Sequence, residues 1–156
     1  MKLLPIILLC SLTCFGKTWQ VNSNVMPNYA TGDSILFQRG TDYIGFWTIN
    51  KRVYFGSYGS GSKPHFQYPT PTNKSADSRE IFVVAIDGCV FNGLDFTDTR
   101  FPASDKQNPS YCSEAIRINA NNCKVLNCTA GNIGNGIVLN GNFNLVDSFN
   151  FSNGHP

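Results

Sequence analysis

The stretch AIRINANNCKVLNCTAGNIGN, residues 115–135, is followed without a gap by GIVLNGNFNLVDSFNFSNGHP, residues 136–156, and the two lie over each other at a period of 21. Ile116 falls on Ile137, Ile118 on Leu139, Asn119 on Asn140 and Asn121 on Asn142. Further along, Val125 falls on Val146, Cys128 on Phe149 and Asn132 on Asn153. Apolar residues return to the same columns, and so do asparagines. A fixed period of about 20 residues predicts a stacked architecture, in which each repeat buries its apolar face against the next.

The frame extends backwards at an offset of 34. Phe82 and Val84 fall on Ile116 and Ile118, Asp87 on Asn121, Cys89 on Cys123, Phe91 on Val125 and Leu94 on Cys128. An offset of 34 is one repeat of 21 plus an insertion of 13, placed most simply within Thr99–Ser113. At least three repeats are therefore readable.

At 156 residues the chain holds one domain at most. A formal net charge of +2, with no basic run, argues against a nucleic-acid partner. Large apolar and aromatic residues spread along the whole chain argue against disorder. Met1–Gly16 reads as a secretory signal peptide: Lys2 in the n-region, the apolar run Leu3–Leu12, and Cys14-Phe15-Gly16 as a small-x-small cleavage site. That run is too short to span a bilayer; the structural alternative is a buried N-terminal helix. A lipid anchor on Cys10 or Cys14 lacks the small residues such sites prefer before the cysteine. The expectation is a secreted, periplasmic or extracellular protein whose domain occupies 17–156.

Four cysteines remain after cleavage: Cys89, Cys112, Cys123 and Cys128. An exported chain can oxidise them. Yet Cys89 shares a column with Cys123, and Cys128 with Leu94 and Phe149, which favours small buried hydrophobes in a stack. A Cys89–Cys123 bridge is the geometric alternative, since adjacent strands lie roughly 4.8 Å apart. Zinc is disfavoured by the cysteine spacing and by the distance in sequence between His65 and His155.

In chain order, Lys17–Ala30 reads as an opening strand or cap. Gly32-Asp33 is a turn, Ile35-Leu36-Phe37 a short buried strand, and Ile44–Asn50 and Arg52–Tyr58 two more. Gly56–Gly61 turns the chain; its Gly-x-Gly spacing lacks the strand-to-helix context of a phosphate cradle. Ser62–Glu80, rich in Pro, Thr, Ser and Lys, reads as a loop containing His65, Phe66 and Tyr68. Ile81–Ile86 is a strand and Cys89–Phe96 a strand pair. No segment sustains a helical period, so the chain is all-β with very short strands. A sandwich does not explain columns at a fixed period, and a propeller blade needs roughly twice this length. A parallel β-helix does, with inward apolar residues stacked and turn asparagines hydrogen-bonding along their ladder. Asp87/Asn121/Asn142 and Asn119/Asn140 are such columns.

TGDSILFQRG at 31–40, VYFGSYGSGSKPHF at 53–66 and CKVLNCTAGNIGNGIVL at 123–139 resemble the cap-and-first-coil, second-coil and coil-repeat segments of secreted right-handed parallel β-helix proteins of the pectate-lyase-like superfamily. The resemblance covers most of the mature chain and implies the fold. The superfamily spans polysaccharide lyases, glycoside hydrolases, epimerases, tailspikes and non-catalytic surface proteins, so activity does not follow from fold.

The excursions at 59–80 and 99–113 both precede the same strand column, Phe82–Val84 and Ile116–Ile118. They are expected at one corner of the solenoid, where insertions build binding surfaces; the alternative is that they cover the core. His65, Phe66, Tyr68, Phe101 and Tyr111 offer flat faces to a sugar polymer, and Lys63, Lys74, Arg79, Arg100 and Lys106 offer charge to uronic carboxylates. Arg117, between inward Ile116 and Ile118, points outward. Related lyases abstract the proton alpha to a uronate carboxylate while Ca²⁺ or another cation neutralises it. No catalytic motif of the superfamily matches residue by residue; by its outward position Arg117 is a candidate base or carboxylate clamp, Arg100 and Glu114 are further catalytic candidates, and Glu114 could also bind a cation. Asp95 and Asp98 are candidate Ca²⁺ ligands, or the carboxylate pair of a hydrolase. The expected function is β-elimination on an acidic polysaccharide, glycoside hydrolysis being the second choice of reaction and a non-catalytic carbohydrate-binding or adhesion solenoid the alternative class. Because a solenoid end exposes unpaired strand edges, the sequence is also expected to be the N-terminal part of a longer protein, and a monomer if complete.

Overall fold

The computed structural model describes residues 16–69, 80–97, 114–131, 133 and 135–152. Among the described residues all regular structure is β-strand, and no helix is long and apolar enough to cross a membrane. The strands are β1 (Thr18–Val21), β2 (Ser34–Gln38), β3 (Asp42–Ile44), β4 (Trp47–Ile49), β5 (Tyr54–Tyr58), β6 (His65–Gln67), β7 (Glu80–Val84), β8 (Val90–Asn92), β9 (Asp95–Thr97), β10 (Glu114–Ile118), β11 (Lys124–Leu126), β12 (Thr129–Gly131), β13 (Asn135–Leu139), β14 (Leu145–Asp147) and β15 (Asn150–Ser152). They form three sheets. The first has the order β1-β2-β5-β8-β11-β14, the second β3-β6-β9-β12-β15 and the third β4-β7-β10-β13. Neighbouring strands pair parallel throughout. From β2 onward the chain visits the three sheets in turn, one strand in each, a topology consistent with a β-solenoid.

The register follows the columns read from the sequence. Ile116 stands opposite Phe82 on one side and Ile137 on the other, and Val125 stands between Phe91 and Val146. Asp95 pairs with Thr129, 34 positions on, whereas Glu114 pairs with Asn135, 21 positions on. The extra residues therefore lie between β9 and β10; Thr99–Ser113 itself falls outside the described residues. Asn140 Nδ2 donates to Asn119 Oδ1 at 2.8 Å, and the Asn121 and Asn142 amides donate to the side chains of Asp87 and Asn121, each at 2.8 Å.

Two local readings are corrected. Ile44–Asn50 is not one strand: β3 ends at Ile44, the Gly45 N–H donates to the Gln67 carbonyl at 3.0 Å, and the chain turns into β4 of another sheet. Ser62–Glu80 is not all loop, because His65–Gln67 is β6. The cause is Phe66, which is fully buried and packs against Phe37, Tyr43, Trp47, Phe82 and Phe96. It belongs to the core and offers no face to a sugar. The core is a stack of aromatic rings: Phe55 on Phe91 at 4.9 Å, Tyr43 on Phe66 at 5.1 Å and Trp47 on Phe82 at 5.1 Å.

The first-strand end is closed by polar contacts. Asp33, read as a simple turn residue, accepts hydrogen bonds from the Lys17 N–H, the Trp19 indole and the Ala30 N–H. These donors, the Ala30 amide foremost, hold its carboxyl below the ordinary range. The buried Tyr43 hydroxyl donates to the Val21 carbonyl and accepts from the Gln38 N–H, and burial pushes its phenol up. At the opposite end, β13, β14 and β15 are terminal strands of their sheets, and Leu139, Val146 and Phe151, the residues in core columns, are 43%, 39% and 41% exposed.

Turns repeat as strictly as strands. Gly88, Asn122 and Phe143 share one left-handed turn position, and Gly93, Asn127 and Ser148 share another. Glycine and asparagine tolerate this conformation, whereas a phenylalanine there costs roughly 1–2 kcal/mol. Phe143 has φ 57° and is 88% exposed, so no burial offsets that cost. Phe143→Asn is expected to raise stability by about 1 kcal/mol, read as a higher urea midpoint at unchanged slope. An unchanged or lower midpoint would contradict the shared turn geometry.

Candidate functional site

The third sheet carries the first cluster. Ile116 and Ile118 of β10 are fully buried, while Arg117 between them has a side chain 27% exposed. Its register neighbours are Val83 and Val138, the column expected from the sequence. Arg117 Nε donates to Glu80 Oε1 at 2.9 Å, and Nη2 donates to Glu114 Oε1 at 2.5 Å. Glu80 and Glu114 are also register partners on neighbouring strands. Two carboxylates so placed repel, and the guanidinium between them offsets that repulsion. Burial pushes the Glu114 carboxyl above its ordinary value; the Arg117 charge opposes the shift and the Glu80 charge adds to it.

Position gives the cluster its interest. Both connections that lengthen the circuit, β6 to β7 and β9 to β10, run from the second sheet to the third. Glu80 is the first residue of β7 and Glu114 the first of β10. The carboxylates therefore stand where both connections enter the third sheet. Glu80 was not among the candidates from sequence, although it lies 34 positions before Glu114 in the same frame.

The second sheet carries a polar column: Asp42 opposite His65, His65 opposite Asp95, Asp95 opposite Thr129 and Thr129 opposite Asn150. His65 Nδ1 meets Asp42 Oδ1 at 2.9 Å, and Nε2 meets the Thr97 carbonyl. Asp95 Oδ1 accepts from the Thr97 N–H at 3.1 Å and from the Thr97 and Thr129 hydroxyls, each at 2.8 Å. Tyr68, one residue past β6, stacks on exposed Phe46 at 6.0 Å. Sequence reasoning missed Asp42, which opens β3, and Phe46, which lies between β3 and β4 in a segment read as one plain strand, Ile44–Asn50.

Arg117 and Glu114 are thus brought into contact, and His65 and Asp95 onto adjacent strands. Arg100, Phe101, Lys106, Tyr111 and Asp98 lie outside the described residues. Among the described residues no group of three or more His, Cys, Asp or Glu side chains is placed to hold a metal ion. Arg117 already pairs with two carboxylates, the kind of contact that a carboxylate clamp makes. No family model, no curated protein and no solved structure matches the chain.

The raised Glu114 carboxyl has a definite pH signature. The folded protein binds its proton more tightly than the unfolded chain does. Its contribution is therefore fully present below the ordinary value of 4.5 and is lost as pH rises through the raised one. Glu114→Gln, neutral at every pH, should remove that slope. Its melting temperature relative to wild type should climb as pH rises from about 4 and then level off. Parallel curves for the two proteins would show that Glu114 is not desolvated.

Proposed function

We propose that this chain is an exported right-handed parallel β-helix of the pectate-lyase-like kind, with coils of about 21 residues, and that it acts on an acidic polysaccharide by β-elimination. The observation that carries the reading is Arg117, held outward between Glu80 and Glu114 where both long connections enter the third sheet. A uronate carboxylate docks against the exposed part of Arg117, which spreads the charge of the carbanion as it forms. Glu114 takes the proton alpha to that carboxylate, since a carboxyl with raised proton affinity is the better base near neutral pH. The carbanion's electron pair then forms the C=C bond as the C–O bond to the leaving sugar breaks; the departing oxygen takes a proton from water, and an unsaturated uronate remains. His65 on the second sheet and Tyr68 just past its strand serve substrate binding. Calcium, with Asp95 and Asp98 as the proposed ligands, is an alternative source of the neutralising charge.

A second reading is a carbohydrate-binding or adhesive solenoid without catalysis. One observation favours it: His65, Asp95 and Arg117 are each tied to partners within the protein.

Incubation with pectate, alginate and chondroitin, with and without calcium, separates the readings when unsaturated uronate absorbance and binding are both followed. The lyase reading predicts absorbance on one polymer, lost in Arg117→Ala and reduced roughly 100-fold or more in Glu114→Gln. Binding without absorbance would favour the binder, and absence of both would overturn the polysaccharide assignment. Absorbance that survives Arg117→Ala but needs calcium would move the neutralising role to the metal.

A further inference from the structure

Cys89 and Cys123 directly precede β8 and β11, one position before the register pair Val90–Lys124. The Lys124 N–H donates to the Cys89 carbonyl at 2.8 Å, which fixes the two cysteines opposite each other. Neighbouring strands lie roughly 4.8 Å apart, inside the Cα separation that a disulfide spans. Both residues are fully buried and both are free thiols. Cys89 Sγ also lies 3.7 Å from the Lys51 carbonyl, and Cys123 Sγ lies 3.6 Å from that of Ile86. Cys128 aligns instead with Leu94 and Phe149, the Thr129 and Asn150 amides bonding to the carbonyls of Leu94 and Cys128. Among the described residues the register thus pairs Cys89 with Cys123 and leaves Cys128 outside the pair.

We propose that Cys89 and Cys123 are a cross-linking site, joined as a disulfide when the chain folds in oxidising surroundings. The segment the bond closes contains β8, β9, β10 and the connection between β9 and β10. It ties together the two ends of the circuit that carries Glu114 and Arg117. The inference is independent of what the protein acts on.

The oxidant is a small disulfide such as oxidised glutathione. One of the two cysteine thiolates attacks one of its sulfurs and releases one glutathione thiolate, giving a mixed disulfide. The other cysteine thiolate then attacks the protein sulfur of that mixed disulfide and releases the second. Two protein thiols are oxidised, one glutathione disulfide is reduced, and the two protons pass to the released thiolates. Because both sulfurs are buried in the folded state, exchange takes place before the sheets have closed over them.

The full chain, unfolded and refolded in a glutathione redox buffer, tests the site. Peptide mapping after alkylation should find a Cys89–Cys123 linked peptide, lighter by two hydrogen atoms than its reduced parts. The oxidised protein should melt roughly 10 °C above the reduced one. Cys128→Ser should keep both bond and shift, and Cys89→Ser or Cys123→Ser should lose the shift. Thiols that all remain free, a bond joining another pair in the wild type, or an oxidised form no more stable than the reduced one would each overturn the proposal.

Discussion

Among the described residues no strand is longer than five residues, and most are three. Strands that short do not hold together in pairs. What holds them is in-register parallel stacking, repeated in three sheets around a shared core. Each inward column therefore meets itself one circuit on, and shape complementarity is won by repetition: ring on ring where the core is wide, then Ile116 on Ile137 and Val125 on Val146. Fully burying one such aliphatic or aromatic side chain contributes about 1.5–3 kcal/mol. A hydrogen bond contributes about 1 kcal/mol net. The apolar columns dominate, and the ladders fix which residues meet.

The same constraint that builds the core strains the surface. In-register stacking brings like residues together, which suits asparagine, whose amide both donates and accepts. It suits carboxylates badly, and Glu80 and Glu114 are stacked partners. At about 4 Å and an effective dielectric near 20, each unit-charge contact amounts to roughly 4 kcal/mol before desolvation. Arg117 sets two attractive contacts against one repulsion, so the cluster holds. What repulsion and burial leave behind is a carboxyl with a raised proton affinity beside an outward cation.

Much of this was legible in the sequence because columns, unlike single residues, are redundant. Phe82, Ile116 and Ile137 identify one another, and the change of offset from 34 to 21 locates the insertion between β9 and β10. What escaped was held by contacts without periodicity. Phe66 sits in a three-residue strand flanked by proline, lysine and polar residues, so only its ring neighbours reveal it as core. Asp33 closes the first-strand end through three donors, Lys17, Trp19 and Ala30, that no spacing rule connects. Glu80 was visible in principle, since it completes the Glu114 column, but it lies at the edge of a segment read as loop. Arg117 was legible in direction and not in partners, and its two carboxylate partners are what favour a clamp.

Cross-strand nuclear Overhauser contacts in the labelled protein test the central claim, the in-register parallel stack, most directly. Ile116 should show main-chain contacts of the parallel kind with both Phe82 and Ile137, and Val125 with both Phe91 and Val146. Antiparallel contact patterns, or pairs displaced by even one residue, would contradict it, because a one-residue slip turns every inward column to the outside.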